Sequence, residues 1–256
     1  MMEEVYQLLD YLPIDDAEIN NYVNPLFNSA QVTYDKEQYQ FSYFAVHLIF
    51  MTYIYLTVWK ISQFHKEKFE HSLLFARPYN GSDVNLKQVR SIFDYSHLPE
   101  KDIFELFSLI GLDNGYIKST KKLIDSRNDM AHATGKIQIL DMRHFDDAIA
   151  GLLGVCLTIQ KNMDETIKKW YKNKLLDFAK SGVLEEKTLP ADFIDEILIG
   201  NLSFSKKDLF ACSECGISRF KDRREYNFEE NEYERLNNLH EAIKKKYYEI
   251  EGIDNI

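Results

Sequence analysis

The sequence predicts an all-α protein, a helical bundle with a small C-terminal module. Three observations carry that expectation. Chain breakers are sparse, with 10 Gly and 5 Pro in 256 residues, so long helices run uninterrupted. Across 141–178 the apolar residues Phe145, Ile149, Leu152, Cys156, Ile159, Met163, Ile167 and Trp170 recur at three- and four-residue steps, with charge on the other faces. A 45% apolar composition, rich in Tyr and Phe, argues against disorder and supplies a core.

Residues 1–34 form an N-terminal segment. It starts amphipathically (Val5, Leu8, Leu9, Leu12) and then carries Pro13, Pro25 and several asparagines. From Asp35 to about His71 the pattern predicts one long helix, apolar first and charged in its last turns. Within it, 41–59 holds no Asp, Glu, Lys or Arg, a run of membrane-span length. Ser42, His47, Thr52 and Thr57 interrupt the run, and Tyr43, Tyr53 and Tyr55 lie inside it, whereas tyrosines of a true span gather at the interfaces. A buried central helix, apolar on nearly all sides, is the preferred expectation over a membrane helix.

The segment 77–83, RPYNGSD, predicts a loop. Pro99, with Glu100 and Asp102 after it, opens a short helix that runs through Leu109 and stops at Gly111. A further helix is expected from about Gly115 to His132, closed by Thr134 and Gly135. The amphipathic segment 141–178 would then be a helix of ~57 Å, long enough to serve as a spine. Beyond Gly182 a short helix is expected over Pro190–Ile199, a turn with metal-site character over 209–220, and a charged last helix over 229–250. The expected domains are therefore the segment 1–34, a helical bundle 35–180 and a C-terminal module 181–256.

The formal net charge is -10, so the chain as a whole does not attract nucleic acid. Any RNA contact must be local. One basic cluster exists, in which Lys118, Lys121, Lys122 and Lys136 surround Arg127, against Asp125 and Asp129 within it. The three cysteines are too few for a disulfide framework. The acidic N-terminus lacks the basic region of a signal peptide, and a cytoplasmic setting is expected.

Inside that cluster lies RNDMAH, residues 127–132. Histidine can accept and return protons near neutral pH. Arginine can grip a phosphate bidentately and offset charge that grows in a transition state. Asn128, one helical turn before His132, is placed to orient the ring or touch phosphate. On a helix, Arg127 would lie ~60° to one side of Ile124 and His132 ~80° to the other. The two side chains then diverge within one molecule, while two Arg–His pairs across a twofold contact can converge on one cleft.

The spacing resembles the R-x4-H motif of the HEPN superfamily, and a polar residue directly after the arginine is typical of its nuclease members. At motif level the resemblance covers 126–135, SRNDMAHATG; in architecture it covers roughly 35–180, where the motif would precede the last major helix of the bundle. It implies a HEPN-like helical bundle and metal-independent endoribonuclease activity by a homodimer, with 2′-OH attack leaving 2′,3′-cyclic phosphate and 5′-OH ends. By the same resemblance Arg127 and His132 are the catalytic pair and no cofactor is needed for catalysis. A toxin or antiviral defence role, held in check by an antitoxin or released by a phage-derived trigger, is likewise implied. The alternative is a non-catalytic helical interaction or nucleotide-binding module.

Cys212-Ser-Glu-Cys215-Gly216 is a C-x2-C-G half-site with zinc-knuckle spacing. Zinc takes four ligands, and no second C-x2-C is present. His240 is a candidate third ligand, and a four-cysteine site shared by two copies is another route to a structural zinc. Two reduced thiols near a turn remain the plain alternative. Cys156 falls on the apolar stripe and is expected in the core.

Overall fold

The computed structural model describes residues 2–74, 85–121, 141–218, 220, 226 and 228–252. The fold class is all-α. Among the described residues the only β pairing is two isolated bridges, Pro13–Ser205 and Leu184–Lys187. The helices include α1 (Met2–Leu9), α2 (Ala17–Asp35), α3 (Tyr39–Phe64), α4 (Lys66–Ser72), α5 (Glu100–Glu105), α6 (described over 114–121), α7 (Met142–Ser181), α8 (Pro190–Asp192), α9 (Lys206–Ser213) and α10 (Glu230–Glu251). By packing, the chain divides into two compact units. One comprises 1–12 and 17–162, the other 13–16 and 163–256, so the division falls within α7.

In the first unit α3 is the central element, packed against α1, α2, α4 and the 3-10 turns Ile92–His97 and Leu106–Ile110. It is long and apolar enough to cross a membrane by length and composition, yet 78% of the 18-residue stretch that qualifies is buried inside the protein. Val46, Ile49, Ile54, Leu56, Val58 and Ile61 are fully buried, each contributing roughly 1.5–3 kcal/mol of transfer free energy. Its hydroxyls are satisfied within the fold. Thr52 and Thr57 donate to the carbonyls of Leu48 (3.0 Å) and Tyr53 (2.9 Å) one turn back, and Ser42 donates to Ala30 O of α2 at 2.8 Å.

One expectation for this region changes. Within 1–34 the chain forms α1 and most of α2, and α2 continues through Pro25 although proline removes a backbone donor. Ile19, Val23 and Ala30 of α2 are buried, and α2 packs along α3, so tertiary packing overrides the local breaker. The single helix expected over 35–71 is two helices. It begins only after a turn at Glu37, whose φ is 57°. It breaks at His65, where φ -129° and ψ 40° leave the helical region while the His65 N–H still bonds Ile61 O. Beyond the break Phe69 is buried and meets Tyr95 edge-on at 6.1 Å.

The helix opened by Pro99 is α5, which tightens into the 3-10 turn and ends at Gly111. Gly111 has φ +89°, a conformation that favours glycine. The long amphipathic helix is observed as α7, 40 residues and ~60 Å. In the first unit Phe145, Ile149, Leu152, Cys156 and Ile159 of α7 are fully buried. Tyr53 Oη donates to Cys156 O at 3.2 Å.

In the second unit the buried line of α7 continues through Met163, Ile167, Tyr171 and Leu175. Trp170 flanks that line, stacked on Phe193 with centroids 6.5 Å apart and edge-on to Phe204. Arg235 of α10 donates to Ala179 O through Nε (2.8 Å) and Nη2 (2.5 Å), satisfying a carbonyl of the last α7 turn. Pro190 opens α8, which runs on as a π-helix over Phe193–Asn201. The stretch expected as a turn from 209 is helical through Ser213. A capping box starts it: Asp208 N donates to Ser205 Oγ at 3.2 Å and Ser205 N to Asp208 Oδ2 at 2.8 Å. α10 packs on α8 and α9 through an apolar stripe that includes Leu236, Leu239 and Ile243.

Candidate functional site

The loop expected at 77–83 lies outside the described residues. Arg127, Asn128 and His132, with Lys122 and Lys136 and the helix end expected at Thr134 and Gly135, also lie outside them. What the structure describes is the chain on both sides of the motif, all of it in the first unit.

On the N-terminal side α6 starts at an Asp113 cap, whose Oδ1 accepts from Tyr116 N at 2.9 Å. Ile117 and Thr120 face inward, and Thr120 Oγ1 donates to Tyr116 O at 3.0 Å. That register leaves Lys118 exposed and Lys121 half-buried. Lys121 Nζ pairs with Glu105 Oε1 of α5 at 2.6 Å. Lys118 and Lys121 line one groove of about 400 Å³ together with Glu105, Ser108, Asn114 and Ile117. Two of the four lysines expected to meet RNA therefore sit side by side, one of them already holding a carboxylate.

On the C-terminal side α7 opens on Asp141. Its Oδ1 accepts from His144 N at 2.9 Å and lies 2.7 Å from His144 Nδ1. These hydrogen bonds, backbone first and then ring, hold the Asp141 carboxyl below its ordinary range. Asp141 thus fixes the orientation of the His144 ring at the start of α7. Sequence reasoning missed it, although Asp and His three apart at a helix start is a readable signal. Glu105 was also missed, since nothing local links it to a lysine sixteen positions on.

The cysteine pair lies in the second unit. Cys212 is fully buried and Cys215 nearly so, at 0% and 3% exposure. Cys215 Sγ approaches Ala211 O at 3.8 Å. Burial drives the Cys212 thiol well above its ordinary range and pushes Cys215 up to about 11. Among the described residues no group of three or more His, Cys, Asp or Glu is placed to hold a metal ion. His240, the third ligand considered, is buried and joined through Nδ1 to Tyr171 Oη at 3.3 Å. Cys156 is fully buried on the stripe.

Comparison of the chain with protein-family models, with curated proteins and with solved structures gave no match. The class that stands is that of an all-α protein with a cationic groove beside α6.

Proposed function

We propose that this protein is a metal-independent endoribonuclease of the HEPN type, cytoplasmic and active as a homodimer, serving as a toxin or antiviral defence effector. The observation that carries the proposal is the sequence RNDMAH at 127–132, a stretch that falls in the sequence after the described part of α6 and before α7. Support comes from the all-α fold class and from the long helix that follows the motif. The groove with Lys118 and Lys121 offers local positive charge next to that stretch, in a chain whose net charge is -10.

In the proposed chemistry His132 takes up and returns protons as the RNA 2′-OH attacks the adjacent phosphate. Arg127 holds the phosphate oxygens and offsets their growing charge, and Asn128 orients the ring or the phosphate. The test is cleavage of RNA by the purified homogeneous protein in the presence of EDTA. Products with 2′,3′-cyclic phosphate and 5′-OH ends are expected, and Arg127→Ala or His132→Ala should abolish them. Unchanged cleavage by either variant, or no cleavage by wild type freed of any antitoxin and supplied with its trigger, overturns the proposal.

A second reading, a non-catalytic interaction module, draws on α3, where Phe41 and Leu48 lie seven residues apart on one face and are 61% and 42% exposed. Retained partner binding by variants lacking Arg127 and His132 would favour it.

A further inference from the structure

We propose that the groove beside α6 is a phosphate-binding site for single-stranded RNA, in which the Glu105 carboxylate occupies the place of the phosphate while no RNA is bound. The inference rests on the ribonuclease reading and adds to it a subsite and a residue that opposes binding.

Three features of the groove carry it. Its volume of about 400 Å³ falls in the ~300–1,000 Å³ range of clefts that enclose small ligands. Its charge is locally positive, two lysines against one glutamate, although the whole chain is strongly acidic. Lys118 and Lys121, three apart on α6, project from neighbouring positions of one helix face, so an oxyanion in the groove meets two ammonium groups.

The exposures of the ion pair then decide which partner yields. The Lys121 side chain is 20% exposed and that of Glu105 66%. The lysine stem is held by packing, while the glutamate has room to swing into water. A carboxylate and a phosphate ester offer the same kind of acceptor oxygen to an ammonium, and lysine binds phosphate as a point charge. An arriving phosphate therefore displaces Glu105 without moving Lys121. Because exposed ion pairs are weak, the displacement is a small barrier rather than a lock. Ser108, whose hydroxyl donates to Glu105 O at 2.7 Å, and Asn114 supply further polar groups along the groove wall.

The test is a double-mutant cycle on the full chain, read by fluorescence anisotropy with a labelled single-stranded RNA made uncleavable by 2′-O-methyl groups. Circular dichroism confirms that each variant is folded. Glu105→Gln should tighten binding about two- to fivefold at low salt, the range set by an exposed pair. Lys121→Met should weaken binding and flatten the dependence of log K on log salt by about 0.7, one single-strand phosphate contact. In the Lys121→Met background, Glu105→Gln should have no further effect. A gain from Glu105→Gln that persists in that background means long-range charge alone and overturns the proposal, as does a cycle in which neither variant changes binding. Wild-type protein that binds no RNA at any salt overturns the ribonuclease reading as well, so the two failures are distinguishable.

Discussion

Acid should destabilise the second unit through one buried imidazole. His240 is 2% exposed, and burial, reinforced by the nearby Lys244, lowers its pKa to about 4. In the unfolded chain the ring titrates at its ordinary value of about 6.5. Between these values the unfolded state binds the extra proton, so stability rises with pH across the window. The contribution is whole above about pH 6.5, falls as the pH drops toward 4, and levels off below that. From pH 7 to pH 4.5 the linkage relation gives a loss of roughly 2 kcal/mol, enough to matter against a total stability of about 5–15 kcal/mol. The assay is urea denaturation of wild type and His240→Asn at both pH values, with the ring's own titration followed by proton NMR. Asparagine keeps a polar group near the Tyr171 hydroxyl and cannot titrate. It should be less stable at pH 7 but should lose about 2 kcal/mol less than wild type on acidification. Equal acid losses in the two proteins, or an imidazole resonance with its midpoint near 6.5 in the folded state, would refute the reasoning.

Alanine at Arg127 or His132 should lower RNA cleavage by at least about a hundredfold, with the melting temperature unchanged; a parallel fall in melting temperature would point to structural roles. Ser205→Ala removes the cap of α9 and leaves the fully buried Asp208 with one partner fewer, so chemical denaturation should show a loss of about 1–2 kcal/mol. Cys212 and Cys215 should react slowly with a colorimetric disulfide reagent at pH 8 in the native protein and fully once urea is added, because burial keeps them protonated. Fast native reaction at both would contradict their burial.

The parts of this fold most legible in the sequence are those where periodicity and burial agree. The stripe from Phe145 to Ile167 marked α7 because a 3.6-residue period sustained over a long segment fits a helix and no strand, and those side chains are buried. Pro99 and Gly111 bracketed α5 and its 3-10 continuation because each acts through its own backbone. Pro25 gave no sign of α2, because the packing of α2 on α3 is non-local and outweighs a local penalty. His65 carries no breaker chemistry, so the division between α3 and α4 had no sequence signal. The start of α9 was readable in principle, since Ser205 and Asp208 have capping-box spacing. At the candidate site the lysines were legible as charge, but the partner of Lys121 lies on another helix. The division between units falls inside α7 at a polar stretch, Gln160 to Asn162 and Asp164 to Thr166 around Met163, but the helical period runs through it unbroken and gave no reason to divide the chain there.

The hydroxyls of α3 have a wider consequence. Thr52 and Thr57 give their protons to carbonyls of their own helix, so to the helices around them they present mainly methyl groups. Ser42 gives its proton to α2 and acts there as a tether rather than as a wet group. A hydropathy scale counts all three as polar letters, although their hydroxyl protons are already donated to carbonyls. At these three positions the helix at the centre of this unit is thus more oil-like than its composition suggests.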